Sequence, residues 1–160
     1  MTQQVDESNA WKTLGSFLDE RALGYSGGIS SPNSAFIHGS RLSPHLAWGT
    51  ISLRSVFHEL EKRIVVIKQS ESKNGWAKSL RAFQSRLYWR DHFIQRLEAF
   101  PELEFRTLNP AFEKLEYEDS DAMLEAWVSG QTGFPMVDAC MRCLAAVSYT
   151  HLRAHETDYY

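Results

Sequence analysis

Cysteine is scarce: Cys140 and Cys143 are the two thiols in 160 residues. Two cysteines do not make a secreted disulfide framework, so a reducing, cytoplasmic setting is expected. Long apolar runs are lacking too. No stretch reaches membrane-spanning length or carries a secretion-signal pattern, so no membrane partner is expected. An excess of one charge is missing: 17 Lys and Arg stand against 20 Asp and Glu, a net charge of −3. The chain as a whole therefore makes no electrostatic case for nucleic acid. Period-two alternation persists nowhere and no internal repeat is found, which leaves sheets and solenoids without support.

What is present is aromatic and apolar. Hydrophobic residues make up 43%, with five tryptophans and nine phenylalanines, the composition of one globular domain with a real core. Charge is segregated along the chain. Between positions 73 and 96, Lys73, Lys78, Arg81, Arg86, Arg90 and Arg96 face the single acid Asp91; between 98 and 125, nine acids face two bases. This reads either as two differently solvated surfaces or as a basic wall facing a polyanion.

The pattern is helical nearly throughout, giving an all-α fold class, a partial helical bundle. Asn9 is read as the cap of a first helix carrying Trp11, Leu14 and Leu18 and ending near Gly24. The Gly-, Ser- and Pro-rich "YSGGISSPNSAF" is read as loop. A short helix is expected from Ser43 to about Gly49, and another capped by Ser52 with Val56, Leu60 and Ile64 inward. "KQSESKNG" is a polar linker. The longest helix is expected over residues 76–97, with Trp76, Leu80, Phe83, Leu87, Ile94 and Leu97 on one stripe and Phe83, Arg86 and Arg90 along one side. A short helix is expected around residues 111–115 and another over 121–129. Pro135 opens a last helix with Val137, Cys140, Met141 and Leu144 inward and Asp138 spaced to pair with Arg142.

Two places suit an anion. In "HGSRLSPHLAWGTIS", Ser43-Pro44 reads as a helix start whose serine accepts an orphan N–H. Ser40, Arg41 and Ser43 converge there, and Gly39 allows a close approach; the alternative is an ordinary capped helix with a surface arginine. The second is Arg90, which occupies a core-facing slot and needs either an internal ion pair or a bound anion. Cys140, Cys143, His151 and His155 spell C-x2-C and H-x3-H, but the gap between the pairs is shorter than in zinc fingers and both cysteines sit inside a helical pattern, so no metal is expected. The tail "VSYTHLRAHET" resembles an in-frame translation of a transposase sequencing adapter, which implies a native domain over residues 1–146 and a non-native tail over 147–160.

Three stretches together resemble the photolyase and cryptochrome family: "GSRLSPHLAWGTISLR" its flavin-pyrophosphate segment, "FQSRLYWRDHF" its WRE-F helix, and "AWVSGQTGFPMVDACMRCL" its W-x-x-G-x-T-G-x-P-x-V-D-A-x-M-R-x-L signature. The resemblance implies an all-α domain that holds FAD in a bent shape, with Tyr25, Gly39, Ser40, Arg41, Leu42, Ser43, Phe83, Arg86 and Arg90 as cofactor-binding residues. It places Trp89 and Arg86 against DNA carrying pyrimidine photoproducts, in a monomer. The implied parent is a light-driven DNA-repair lyase whose reduced flavin donates an electron to the lesion. The alternatives are a cryptochrome-like signalling flavoprotein without repair activity and a cofactor-free helical nucleic-acid-binding module. Departures from the pattern are Gly39 where many members carry threonine, Arg86 where many dimer-repairing members carry a lesion-contacting glutamate, and Phe112 where many place a surface tryptophan of the electron-transfer chain. The family's antenna domain and the second half of its flavin pocket are not in the 160 residues, so the isolated chain is expected to bind FAD weakly or not at all.

Overall fold

The computed structural model describes residues 4–70, 75–116 and 118–146. Part of the expected linker, residues 71–74, and the whole expected tail, with His151 and His155, lie outside the described residues. Every regular element among the described residues is helical, in line with the all-α expectation. The chain forms two compact units, one of Gln4–Glu104 and one from Phe105 onward.

The first unit opens with α1 (Glu7–Asp19). Its cap is Asp6 rather than Asn9: the Asp6 carboxylate accepts the Asn9 backbone N–H at 2.8 Å and the Asn9 side-chain amide at 2.6 Å. These bonds hold the Asp6 carboxyl below its usual range. Both residues are good caps, but a start at Asp6 puts Ala10, Leu14, Phe17 and Leu18 on one buried face and leaves Trp11 outside it. The helix ends at Asp19 and passes into a 3-10 turn over Arg21–Gly24, so the expected end near Gly24 is that turn. The expected loop that follows is largely ordered. It holds the four-residue α2 (Tyr25–Gly28), kinked at Ser26 and Gly27, and then α3 (Pro32–His38). Composition misled here because Pro32 sits in the first turn, directly after an extended Ser31, where a missing N–H is harmless.

Next come α4 (Ser43–Ala47) and α5 (Leu53–Gln69). Ser52 caps α5 as expected, its hydroxyl accepting the Ser55 N–H at 3.0 Å. Val56, Leu60 and Ile67 are buried in α5 while Ile64 is only half-buried, and the helix runs on through Lys68 and Gln69, which the sequence assigns to the linker. The longest element is α6 (Trp76–Ala99). Its first half carries the buried Ser79, Leu80, Phe83 and Leu87; Ile94 and Leu97 on the same expected stripe are exposed. It packs against α5, α2 and the Arg21–Gly24 turn. At the centre of this core Phe17, Tyr25 and Phe83 meet edge to face, with ring centroids 4.6–5.6 Å apart, each pair worth about 0.5–1.5 kcal/mol beyond its buried area.

In the second unit the expected helix around residues 111–115 is only a 3-10 turn, Pro110–Phe112, capped by Asn109. Ser120 caps α7 (Asp121–Val128), and α8 (Pro135–Ala146) follows a tight link. Met141 is buried as expected, Cys140 and Leu144 are half-buried, and Val137 is exposed. Both cysteines are free thiols. Asp138 and Arg142 turn to the link rather than to each other. The Asp138 carboxylate accepts Thr132 N–H at 2.8 Å, Thr132 Oγ1 at 2.6 Å and Gly133 N–H at 3.1 Å. Arg142 donates to the Gly130 carbonyl at 2.7 Å. The Thr132 hydroxyl, then the two backbone amides and the Arg142 charge, hold the Asp138 carboxyl below the usual carboxylate range. This explains the signature physically: glycine is required at position 130 because φ is +66° and a Cβ would lie 2.9 Å from the Asp138 carbonyl.

Candidate functional site

The turn between α3 and α4 gathers the first group of predicted site residues. Gly39 leaves α3 in extended backbone, and a Cβ there would sit 2.7 Å from the Ala35 carbonyl. A threonine at this position therefore requires the turn to shift. Ser40 is half-buried, and its hydroxyl accepts the Leu42 N–H at 3.4 Å. Arg41 adopts φ +60°, the one positive φ among the described non-glycine residues, a left-handed conformation that costs about 1–2 kcal/mol. Its guanidinium is exposed and donates to the Phe36 carbonyl of α3. Leu42 is buried in the core and anchors the turn; Ser43, half-buried, is the first residue of α4.

The helix-end part of the sequence reading changes. The cap position of α4 is Leu42, no side chain caps it, and the helix is five residues long. So short a helix offers little macrodipole, and the donors at this place belong to the turn. The turn is fastened from behind by Arg21, which the sequence reading passed over. Its guanidinium donates to the Gly39 carbonyl, to Ser40 O at 3.4 Å, to Thr13 O at 2.9 Å and to Ser16 Oγ at 3.1 Å, while lying 5.5 Å from the centre of the Phe17 ring. Its sequence signal was only that of a charged helix end.

The second group lies on α6 and separates by depth. Phe83 and Tyr25 are buried in the three-ring cluster with Phe17. Arg86 is exposed, off the buried stripe. Arg90 is half-buried and donates to the Leu46 carbonyl of α4 at 3.4 Å, a backbone oxygen and not the carboxylate that the ion-pair alternative required. Trp89 is half exposed and stands beside Phe93, with 5.6 Å between ring centroids, and His92. Arg41 and Arg90 thus tie to the two helices that flank the turn, α3 and α4.

Two further residues set the frame. Ser79, buried in α6, donates to the Leu23 carbonyl at 2.9 Å and accepts the Ser26 N–H at 3.1 Å, locking α6 to the kinked segment that carries Tyr25. His45, fully buried in α4, lies with Nδ1 3.0 Å from Thr50 Oγ1; burial lowers its pKa, against a small opposing pull from Asp6. His38 packs so closely on Gly24 and Gly28 that a Cβ at either would collide with its ring. None of the residues of the turn lines the depression of about 210 Å³ between α5 and α6; in the second unit a depression of about 500 Å³ lies beside Phe105 and Phe112. No cluster of potential metal ligands is found among the described residues.

Sequence and structure comparisons give this arrangement a family. The FAD binding domain of DNA photolyase matches residues 83–157. The chain carries part of the FAD-binding domain that this family model describes. It is 37% identical over 116 residues to a deoxyribodipyrimidine photo-lyase of Thermus thermophilus, covering 72% of this chain and 25% of that one. It is 30% identical over 147 residues to that of Synechococcus, covering 92% and 29%. A crystal structure of a bacterial class III photolyase from Agrobacterium tumefaciens matches with a TM-score of 0.78 and 32% identity, over 94% of this chain and 29% of that one. The chain thus spans between a quarter and a third of the length of these relatives.

Proposed function

We propose that this segment forms the diphosphate side of an FAD site in a light-driven DNA-repair lyase acting on pyrimidine photoproducts. The observation that carries the reading is the turn at residues 39–43, fixed between a buried leucine and Arg21 and bordered by two arginines anchored on its flanking helices. The donor set fits the group. Two phosphate charges need forked cations, hydroxyls and backbone N–H groups, and Arg41, Arg90, Ser40 and Ser43 supply them with no carboxylate among them. When bound, the flavin supplies the electron that splits the lesion. This chain's residues bind and orient. Leu42 and the three-ring cluster hold the turn and α6 rigid. Arg41, Arg90, Ser40 and Ser43 neutralise the diphosphate, and Gly39 gives it room. In this reading Tyr25 and Phe83 act as packed walls rather than as polar contacts.

The DNA side rests on Trp89, whose half-exposed ring can stack on an unstacked base, and on the exposed Arg86. The arginine where many dimer-repairing members carry glutamate favours a second reading, a signalling flavoprotein of the same family. The domain boundary at residue 146 is part of the proposal. The test is blue-light repair of a thymine-dimer oligonucleotide by the complete protein that contains this segment, purified with FAD. Restored thymines in light but not in darkness are expected. Stoichiometric flavin with no repair would leave the signalling reading, and a colourless protein that takes up no FAD would overturn both.

A further inference from the structure

We propose that Arg21 is the positioning residue of the diphosphate turn: it fixes the backbone so that consecutive amides face the anion. The inference rests on the FAD reading above and deepens it. One guanidinium binds the carbonyls of two successive residues, Gly39 and Ser40, while holding Thr13 O and Ser16 Oγ on α1. A trans peptide is planar and its N–H points opposite its C=O, and no cis bond occurs among the described residues. Turning the Gly39 and Ser40 carbonyls toward α1 therefore turns the N–H groups of Ser40 and Arg41 away from it. The left-handed φ of Arg41 is followed by right-handed Leu42, with φ −89° and ψ −12°. Successive residues of opposite hand bring consecutive N–H groups onto one concave side, here those from Arg41 onward with the Leu42 N–H held by Ser40 Oγ, so the Arg41 amide is the donor this curl shares with the pair that Arg21 orients. Arg21 acts through the backbone, on the face opposite the anion. Its planar fork and its place over the Phe17 ring are beyond a lysine's single ammonium.

The experiment follows backbone amides of the full 160-residue chain by NMR during titration with inorganic pyrophosphate, for wild type, Arg21→Lys and Arg21→Gln. In wild type the Ser40 and Arg41 amides are expected to shift saturably. In Arg21→Lys, which keeps the charge, affinity is expected to fall roughly tenfold and the saturable shifts of the Ser40 and Arg41 amides to diminish with it, with signals of the three-ring cluster unchanged. Equal responses in wild type and Arg21→Lys would overturn the positioning role while leaving the FAD reading intact. No response in wild type would overturn the reading of the turn itself, and the role of Arg21 with it. If the variants do not fold, the wild-type guanidinium decides: slowed rotation and protected Nη protons are expected, and free rotation overturns the proposal.

Discussion

Burial strips the His45 imidazole of water and leaves Thr50 as its hydrogen-bond partner, so its protonated form is disfavoured in the folded chain. The sign of the consequence follows from linkage. The unfolded chain takes up a proton near the ordinary value of 6.5, and the folded chain only at lower pH. Between the two values the unfolded state binds more protons, so stability is complete above about pH 6.5 and declines as pH falls through the window. Thermal midpoints of the wild-type chain are expected to drop from pH 7.5 to pH 5. In His45→Gln that part of the slope should vanish; an unchanged slope would show that His45 is not the group responsible. Asp6 and Asp138 act at lower pH. Their carboxyls are held below 3.8 by donors, so their contribution is present above that value and lost below it.

Among the elements, α6 shows what was legible in the sequence. Its length and its stripe of Leu80, Phe83 and Leu87 follow from 3.6-residue periodicity alone. Where that stripe stops being covered does not follow, because burial depends on what packs opposite: Ile94 and Leu97 continue the pattern but stay exposed. The Ser52 cap was legible because a local bond decides it. The helix at Pro32 was not, because glycine, serine and proline serve breaks and starts alike. Within the site, Arg41 and Arg90 stood out by motif and by their place in a stripe. Arg21 did not, since the two turn carbonyls it holds lie 18 and 19 residues away, where no local pattern reaches. Phe83→Ala should cost α6 about 3–5 kcal/mol, by emptying the three-ring cluster, with the loss read in urea denaturation. A loss under 1 kcal/mol would mean that Phe83 does not join α6 to Phe17 and Tyr25.

For the molecule as a whole, the proposed function comes from division of labour rather than from overall charge. A net charge of −3 coexists with α6, whose first fifteen positions, residues 76–90, carry Lys78, Arg81, Arg86 and Arg90 and no acid. The same helix contributes Phe83 to the core, Arg90 to the flank of the turn and Trp89 to the exposed surface. A single element thus links the fold to both proposed ligands. The central claim is that residues 39–43 cradle the diphosphate of FAD, and phosphorus NMR of FAD titrated with the complete protein that contains this segment tests it most directly. Both diphosphate signals are predicted to shift and broaden saturably even if binding is weak, ADP to behave likewise, and Arg41→Ala to weaken the effect roughly tenfold or more. Diphosphate signals that do not move, or that move equally with Arg41→Ala, would contradict the account.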